Sequence, residues 1–402
     1  MTASDVAAAR GGPDVVRPFA GMLVSPDWAE QVVSPMLDAV PPAQRAALVA
    51  EREYAWLNVT AGAVTTELPP DRPGGSDALR RLLDRGAFTH TEPGVFVYRI
   101  VDARGSHAGL VVDVAAAAFV DGRVRGHEAV QPGRVDALVR HLSKVHARSE
   151  LVALLRAPDR EVDEVVERAC AAPPILDFGS GDARQTVWRV AADDTARVTP
   201  RLASHPLYVA DGHHRVAASL RAWEDLGRPS DAGVPCVLYA PDGLRLQSFH
   251  RRVTGPVDAA ALIESLRRRT DVVETDGPRP AVGSVALYAA GRWFAVPLGA
   301  LLGTGQRGVE ALDVARLQAD ILDPLLGVGA VGDDRLEVAP ATDPLTHLVA
   351  SCDADGGVLF VLAAPSVAQL VEVADRHEVM LPKSTFFEPK PQAGIFLQLI
   401  EP

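Results

Sequence analysis

The chain has 402 residues, a hydrophobic fraction of 48% and a formal net charge of −12, enough for two or three ordinary globular domains or one large elaborated α/β domain. The acidic balance argues against broad nucleic-acid binding, which needs a basic surface. Cys170, Cys236 and Cys352 lie far apart and form no C-x-x-C pair, so neither a disulfide framework nor a zinc ribbon is expected, and a reducing, cytoplasmic setting suits them.

Residues 1–16 contain no apolar stretch of signal-peptide type and are expected to form a flexible tail. The best candidate for a membrane span, Val285 to Leu302, is broken by Gly291-Arg292 and Pro297, so no span is expected. Of 40 basic side chains only Lys144, Lys383 and Lys390 are lysine. Two of them stand close together near the C-terminus.

The folded part is expected to begin at Arg17-Pro18-Phe19. Pro41-Pro42 introduces a helix over Ala43–Glu53, and Trp56–Thr60 has the composition of a strand. Pro69–Asp77 is loop, rich in Pro, Gly and Asp, followed by a short helix over Ala78–Arg85 closed by Gly86. Gly94–Ile100 and Ala108–Val112 alternate as strands of a hairpin turned at Arg104-Gly105. Val135–Val145 is an amphipathic helix with Leu138, Leu142 and Val145 on one face. Leu151–Leu155 is apolar and fits a strand or a buried helix equally. Glu161–Ala171 is a helix stopped before Pro173-Pro174, Ala183–Val190 a strand, and Asp194–Leu202 a helix cut by Pro200.

Next comes Tyr208-Val209-Ala210-Asp211-Gly212-His213-His214-Arg215. A short apolar strand precedes Asp211, and Val216–Trp223 has helical spacing, so the pattern is strand, tight turn, helix. Such a helix start presents backbone N–H groups and a positive dipole end to an anion. Gly212 permits a left-handed backbone, Arg215 can fork onto an anion, and His213 or His214 can move a proton near neutral pH, with one of the two packing inward. Val234–Ala240 and Leu246–Val253 follow as strands around the turn Pro241-Asp242-Gly243. A helix over Asp258–Arg269, a hairpin of Ser284–Tyr288 with Trp293–Val296, and a helix capped by Asp313 come next. The stripe Val314, Leu317, Ile321 and Leu322 is core. A strand at Gly357–Ala363, a helix at Val367–Arg376 and a final strand at Ile395–Ile400 flank Met380–Pro391. The order of elements makes the fold mixed α/β.

Two stretches together, Tyr208–Arg215 and Met380-Leu381-Pro382-Lys383-Ser384-Thr385-Phe386-Phe387-Glu388-Pro389-Lys390, resemble the signatures of the domain-of-unknown-function 1015 family. Arg17-Pro18-Phe19, His127-Glu128, Leu312-Asp313-Val314 and Asp323-Pro324-Leu325-Leu326-Gly327 fit its order. Ser34-Pro35-Met36-Leu37-Asp38 departs from it by lacking a tyrosine, and Val130 and Val216 replace a threonine and an aromatic. The D-G-H-H-R sequence is also similar to an element of free serine kinases built on the ParB/sulfiredoxin-like fold. His213 stands where sulfiredoxins carry their cysteine, which argues against sulfinic-acid reduction.

The resemblance implies a flexible tail over 1–16, an N-terminal α/β region over 17–190, a ParB/sulfiredoxin-like core over 191–255 and a C-terminal α/β region over 256–402. It implies an ATP- or ADP-dependent kinase with Mg²⁺ held by Asp211, and with free L-serine as the first candidate acceptor. Gly212, His213, His214, Arg215, Lys383, Ser384, Thr385 and Lys390 would bind nucleotide phosphate. Asp211 and His214 would assist the chemistry, and Glu128 would take the hydroxyl proton, as phosphoryl transfer to a hydroxyl requires. Partners would be a nucleotide and a small-molecule substrate, without nucleic acid or membrane. A nucleotide-binding regulator without turnover is the alternative.

Overall fold

The structure is a computed structural model that describes residues 15–40, 42–61, 74–298 and 306–400. Most of the expected tail, part of the loop from Pro69 and the end of the apolar run to Leu302 lie outside the described residues. The fold is mixed α/β. The chain forms two compact units: Met1–Arg125 with Val130–Leu244 and Pro389–Pro402, and Gly126–Ala129 with Arg245–Glu388.

The first unit is organised on a nine-stranded sheet. Its middle is Val152–Leu155, Gly233–Tyr239, Gly105–Ala115 and Phe96–Asp102 in that order. Val152–Leu155 is buried along its whole length and pairs parallel to Gly233–Tyr239, which explains why its sequence is an uninterrupted apolar run rather than an alternation. Leu207–Asp211 lies beside it, antiparallel, with an irregularity between Val209 and Asp211. A bulge re-aims the end of a strand, and here it precedes the D-G-H-H-R turn. A separate four-stranded sheet joins Phe88–Gly94, Phe19–Val24, Phe396–Leu399 and Ala147–Arg148. At its heart Phe396 packs edge-on against Phe19 and Phe96, with ring centroids 5.5 and 5.8 Å apart.

The second unit has a six-stranded antiparallel sheet. Side chains alternate across it as a strand dictates. Val285, Leu287, Val358 and Phe360 join one core, and Ala286, Tyr288, Leu359 and Val361 the other. Helix Ala259–Arg267 contributes to the first core through Leu262, Ile263 and Leu266, and helix Leu345–Asp355 to the second through Leu348 and Cys352.

Three expectations are corrected. Trp56–Thr60 is no strand: Leu57–Ala61 is a short helix, because Asn58 ties its amide to the carbonyls of Arg52 and Ala55. The run Leu246–Val253 is two strands, Arg245–Gln247 and Phe249–Val253, in different sheets. Asp313 does not cap its helix; Leu312 holds that place, and the Asp313 carboxylate accepts the Gly283 N–H at 3.0 Å. Asp159 and Asp258 do cap their helices. Among the described residues no helix is long and apolar enough to cross a membrane.

Candidate functional site

The D-G-H-H-R turn forms as its sequence suggests. The strand ends at Asp211, Gly212 is left-handed at φ 107°, and helix His213–Asp225 begins at once. Glycine is needed twice over: any other residue would strain that φ, and a Cβ there would come 3.0 Å from the Arg215 guanidinium carbon. As N-cap, Gly212 supplies no side-chain acceptor to the first turn. A helix of this length therefore starts with its positive end uncapped by a side chain.

The turn folds Arg215 back onto Asp211 one helical turn earlier, and the Arg215 Nη2 donates to the Asp211 Oδ2. Lys390 reaches the same carboxylate and donates to its Oδ1. Arg215 also donates from Nη1 to the Leu151 carbonyl. The three side chains are 10–19% exposed. Burial alone would push the Asp211 carboxyl up, but the charges of Lys390 and Arg215 and the Lys390 hydrogen bond outweigh it and hold the group well below the usual carboxylate range.

The two histidines divide. His213 is buried, whereas His214 is half-buried and its Nε2 accepts the Gln131 N–H at 3.0 Å. A ring nitrogen accepting an N–H carries no proton, so that contact leaves Nδ1 as the donor side of the ring. Lys390 is held in place by its neighbours. The Gln392 N–H donates to the Tyr98 hydroxyl at 3.1 Å, and the Gly394 N–H to the Ser149 hydroxyl at 2.8 Å.

The remaining expected site residues belong to the second unit. Glu128 bridges in parallel to Met380, and the Met380 N–H donates to the His127 carbonyl at 2.8 Å. His127 Nε2 lies 3.0 Å from the Thr385 hydroxyl. The His-Glu element and the C-terminal motif are thus brought together, although 258 positions separate His127 from Thr385. Ser384 is buried and its hydroxyl donates to the Leu381 carbonyl at 2.6 Å, which occupies the hydrogen expected to meet phosphate. Lys383 is exposed, has a left-handed backbone, and places its ammonium 5.4 Å from the centre of the Phe249 ring, a cation–π distance. Phe386 and Phe387 anchor the segment: Phe387 is buried, Phe386 meets Phe249 edge-on, and both pair with Arg245–Gln247.

Sequence reasoning missed one part of the first unit. Arg215 and Ser219 line a small cavity with Trp56, Thr60, Leu138, His141, Leu142, Arg148, Glu150 and Val152. Trp56 and Arg148 carry no local motif. Their one sequence signal is that Trp56 belongs to an apolar run and Arg148 follows an amphipathic helix.

No group of three or more His, Cys, Asp or Glu side chains suited to a metal ion exists among the described residues. Both Asp211 oxygens are engaged by side-chain cations. The donor set therefore does not fit a resident Mg²⁺ ion.

The chain matches the family described as "Protein of unknown function (DUF1015)" over residues 16–315, and it belongs to that family. No curated protein matches it. Among solved structures, a mutant free serine kinase in complex with ADP is 15% identical with a TM-score of 0.39, over 72% of this chain and 92% of that one. SbnI with a C-terminal truncation, from Staphylococcus aureus, is 12% identical with a TM-score of 0.38, over 70% and 84%. A conserved hypothetical protein from Pyrococcus furiosus is 16% identical with a TM-score of 0.34, over 69% and 90%.

Proposed function

We propose that this chain is a nucleotide-dependent phosphotransferase acting on a hydroxyl of a small molecule, on a ParB/sulfiredoxin-like core, with ATP or ADP as donor and a free hydroxy amino acid such as L-serine as acceptor. One observation carries the reading. A 13-residue helix starts at a left-handed glycine without a side-chain cap, and two cations, Arg215 and Lys390, converge on one carboxylate beside that start. Helix N-termini of this kind bind phosphate, and both cations stand beside this one.

Gly212, His213 and Arg215 would face the phosphates, Lys390 would offset their charge, and His214 would donate from Nδ1. The acceptor hydroxyl oxygen attacks the terminal phosphorus, and the bond from that phosphorus to the nucleotide breaks. The hydroxyl proton passes to a carboxylate, for which Glu128 is our candidate. The products are a phosphate monoester and a nucleotide shorter by one phosphate. Mg²⁺ would arrive with the nucleotide rather than be resident at Asp211. Lys383 and Thr385 remain candidates for substrate contact, whereas the Ser384 hydroxyl is already occupied.

The test is transfer of label from terminally labelled ATP or ADP to a panel of hydroxylated amino acids, with binding followed by calorimetry. Transfer to one acceptor supports the reading. Glu128→Gln should then lower kcat by about 10²–10⁴-fold with nucleotide affinity unchanged; an unchanged kcat removes Glu128 from the chemistry. Tight binding without transfer supports the second reading, a nucleotide-binding regulator, which the double engagement of Asp211 favours. Absence of binding sinks both.

A further inference from the structure

Lys390 stands in a Pro389-Lys390-Pro391 triplet. Pro391 fixes its own φ and disfavours anything but extended backbone at the residue before it. It also has no N–H to donate, so the first backbone hydrogen after Lys390 that can tie the chain down belongs to Gln392. That hydrogen goes to the Tyr98 hydroxyl at 3.1 Å. The path from the phenol to the lysine therefore spans two residues, and the one between them has no freedom in φ. The exchange of backbone hydrogen bonds between Ala393 and Ser34, and the bond from the Gly394 N–H to Ser149, come later in the chain. Tyr98 is the nearest of these three anchors to Lys390.

Tyr98 lies in strand Phe96–Asp102, inside the nine-stranded sheet, and is 0% exposed. A hydroxyl so placed needs partners. It donates to the Gln185 Oε1 at 2.6 Å from the neighbouring strand, and Gln185 is fully buried as well. With its hydrogen committed to Gln185, the phenol oxygen turns its lone pairs to the Gln392 N–H. Burial pushes the phenol above its ordinary value, so it stays a neutral hydroxyl that donates and accepts at once. Packing alone does not call for that hydroxyl. The ring already meets Phe396 edge-on with 6.2 Å between centroids, a contact that phenylalanine would make equally well.

We infer that Tyr98, backed by Gln185, is a positioning residue for Lys390: its hydroxyl fixes the backbone two residues on and so sets where the ammonium stands beside Asp211 and the start of helix His213–Asp225. The consequence for a ligand rests on the reading of Lys390 as a phosphate contact. The placement of the ammonium does not.

The test uses the full chain. It has three lysines, of which Lys144 and Lys383 are exposed, so these two serve as internal references for amine acetylation followed peptide by peptide in mass spectrometry. Tyr98→Phe keeps the ring and removes the hydroxyl. In the wild type Lys390 should react more slowly than the references. In Tyr98→Phe it should react about three- to tenfold faster than in the wild type, the worth of one hydrogen bond, with the reference rates unchanged. Trp188→Phe controls for lost stability: it removes the bond from the indole N–H to the Ala172 carbonyl at 2.9 Å, in the same strand as Gln185, and should leave Lys390 at its wild-type rate. ADP affinity by calorimetry adds a double-mutant cycle. Tyr98→Phe should weaken ADP about three- to tenfold and should weaken it no further in Lys390→Met. If Tyr98→Phe does not fold, Gln185→Met takes its place with the same expectations, since it removes the acceptor of the phenol hydrogen. An unchanged Lys390 rate in Tyr98→Phe overturns the inference, as does an equal rise in Trp188→Phe, or an ADP loss from Tyr98→Phe that persists in Lys390→Met. A wild-type chain that does not bind ADP defeats the nucleotide reading alone, and the acetylation rates then decide the role of Tyr98.

Discussion

Two ion clusters, one in each unit, use the same ingredients in opposite proportion. At the D-G-H-H-R turn one acid, Asp211, is held by two bases, Arg215 and Lys390. In the second unit one base, Arg252, is held by two acids, Glu337 at 2.7 Å and Asp355 at 2.5 Å. Arg252 also donates to the Ser351 carbonyl at 2.8 Å, so it ties its strand to Leu336–Pro340 and to helix Leu345–Asp355. Its acids keep 47% and 35% of their side-chain surface in water, where surplus negative charge is cheaply solvated. At Asp211 two cations share one carboxylate, and every member is at most 19% exposed. Breaking a buried pair is costly. The second cluster is thus a structural clamp with its acids at the water, and the first gathers its charges out of water at the start of helix His213–Asp225.

Asp211→Asn should break this contrast most severely. It leaves two buried cations facing one another, and loss of one partner of a buried pair costs about 3–5 kcal/mol, to be read from denaturant unfolding. A loss below about 1 kcal/mol would mean that Lys390 and Arg215 relax into water. The sequence groups Lys390 with Arg215 as a phosphate contact, not as a partner of Asp211, and so points to binding rather than stability here.

A third carboxylate sharpens the point. Asp113 also has two arginines near it, yet burial dominates and its carboxyl is raised to about 6, although it accepts hydrogen bonds from the Ala20 N–H and the Gln398 amide. A carboxyl whose folded value lies above its unfolded value of about 4 contributes stability that is complete below pH 4 and is lost as pH rises through 6. Asp211 has the opposite sign: its contribution is present above about pH 4 and fades as pH falls further. Asp113→Asn should therefore remove a fall of roughly 2–3 kcal/mol between pH 4 and 7, measured as unfolding free energy against pH. An unchanged profile would show that Arg17 and Arg148 neutralise Asp113 better than its burial suggests.

Arg252→Met should cost less, about 1–2 kcal/mol, because Glu337 and Asp355 can rehydrate. A loss as large as that of Asp211→Asn would remove the distinction between the clusters. Lys390→Met should cost least, about 1 kcal/mol, since Asp211 keeps Arg215. If Lys390 also serves phosphate, nucleotide affinity should nevertheless fall about tenfold, the worth of one charge-assisted hydrogen bond. Equal nucleotide affinity in calorimetry would return Lys390 to a purely structural role.

What was legible in the sequence was local. The turn, its glycine and the helix after it follow from residues 207–225, and the alternation of the second unit's strands follows from period two. The Trp56 segment was not legible, because its aromatic and β-branched composition suits a strand, while the helix is set by hydrogen bonds from Asn58 to carbonyls upstream. The break at Ser248 was hidden within a continuous run and is visible only through pairing partners: Arg245–Gln247 joins Phe386–Glu388, and Phe249–Val253 joins Leu336–Pro340. The acceptor of the Arg215 fork was out of reach too, since the Leu151 carbonyl lies 64 positions away. The cavity was invisible for the same reason. Its lining is gathered from four separated stretches whose residues have no chemical pattern in common.

The strand Phe396–Leu399 inserts between Phe19–Val24 and Ala147–Arg148, with Leu23 opposite Phe396. During synthesis Phe19–Val24 therefore waits, at about 5–20 residues per second, until more than three hundred further residues have been joined. Until then Phe19 and Phe96 lack the ring of Phe396, and Asp211 lacks Lys390, which arrives on the same last stretch of chain. A nascent protein of this sequence can form its D-G-H-H-R turn early, but it acquires the second cation only after Lys390 has been joined. A chain that stops at Lys390 would lack the closing strand and its aromatic core contact, and would be a substrate for quality-control proteolysis.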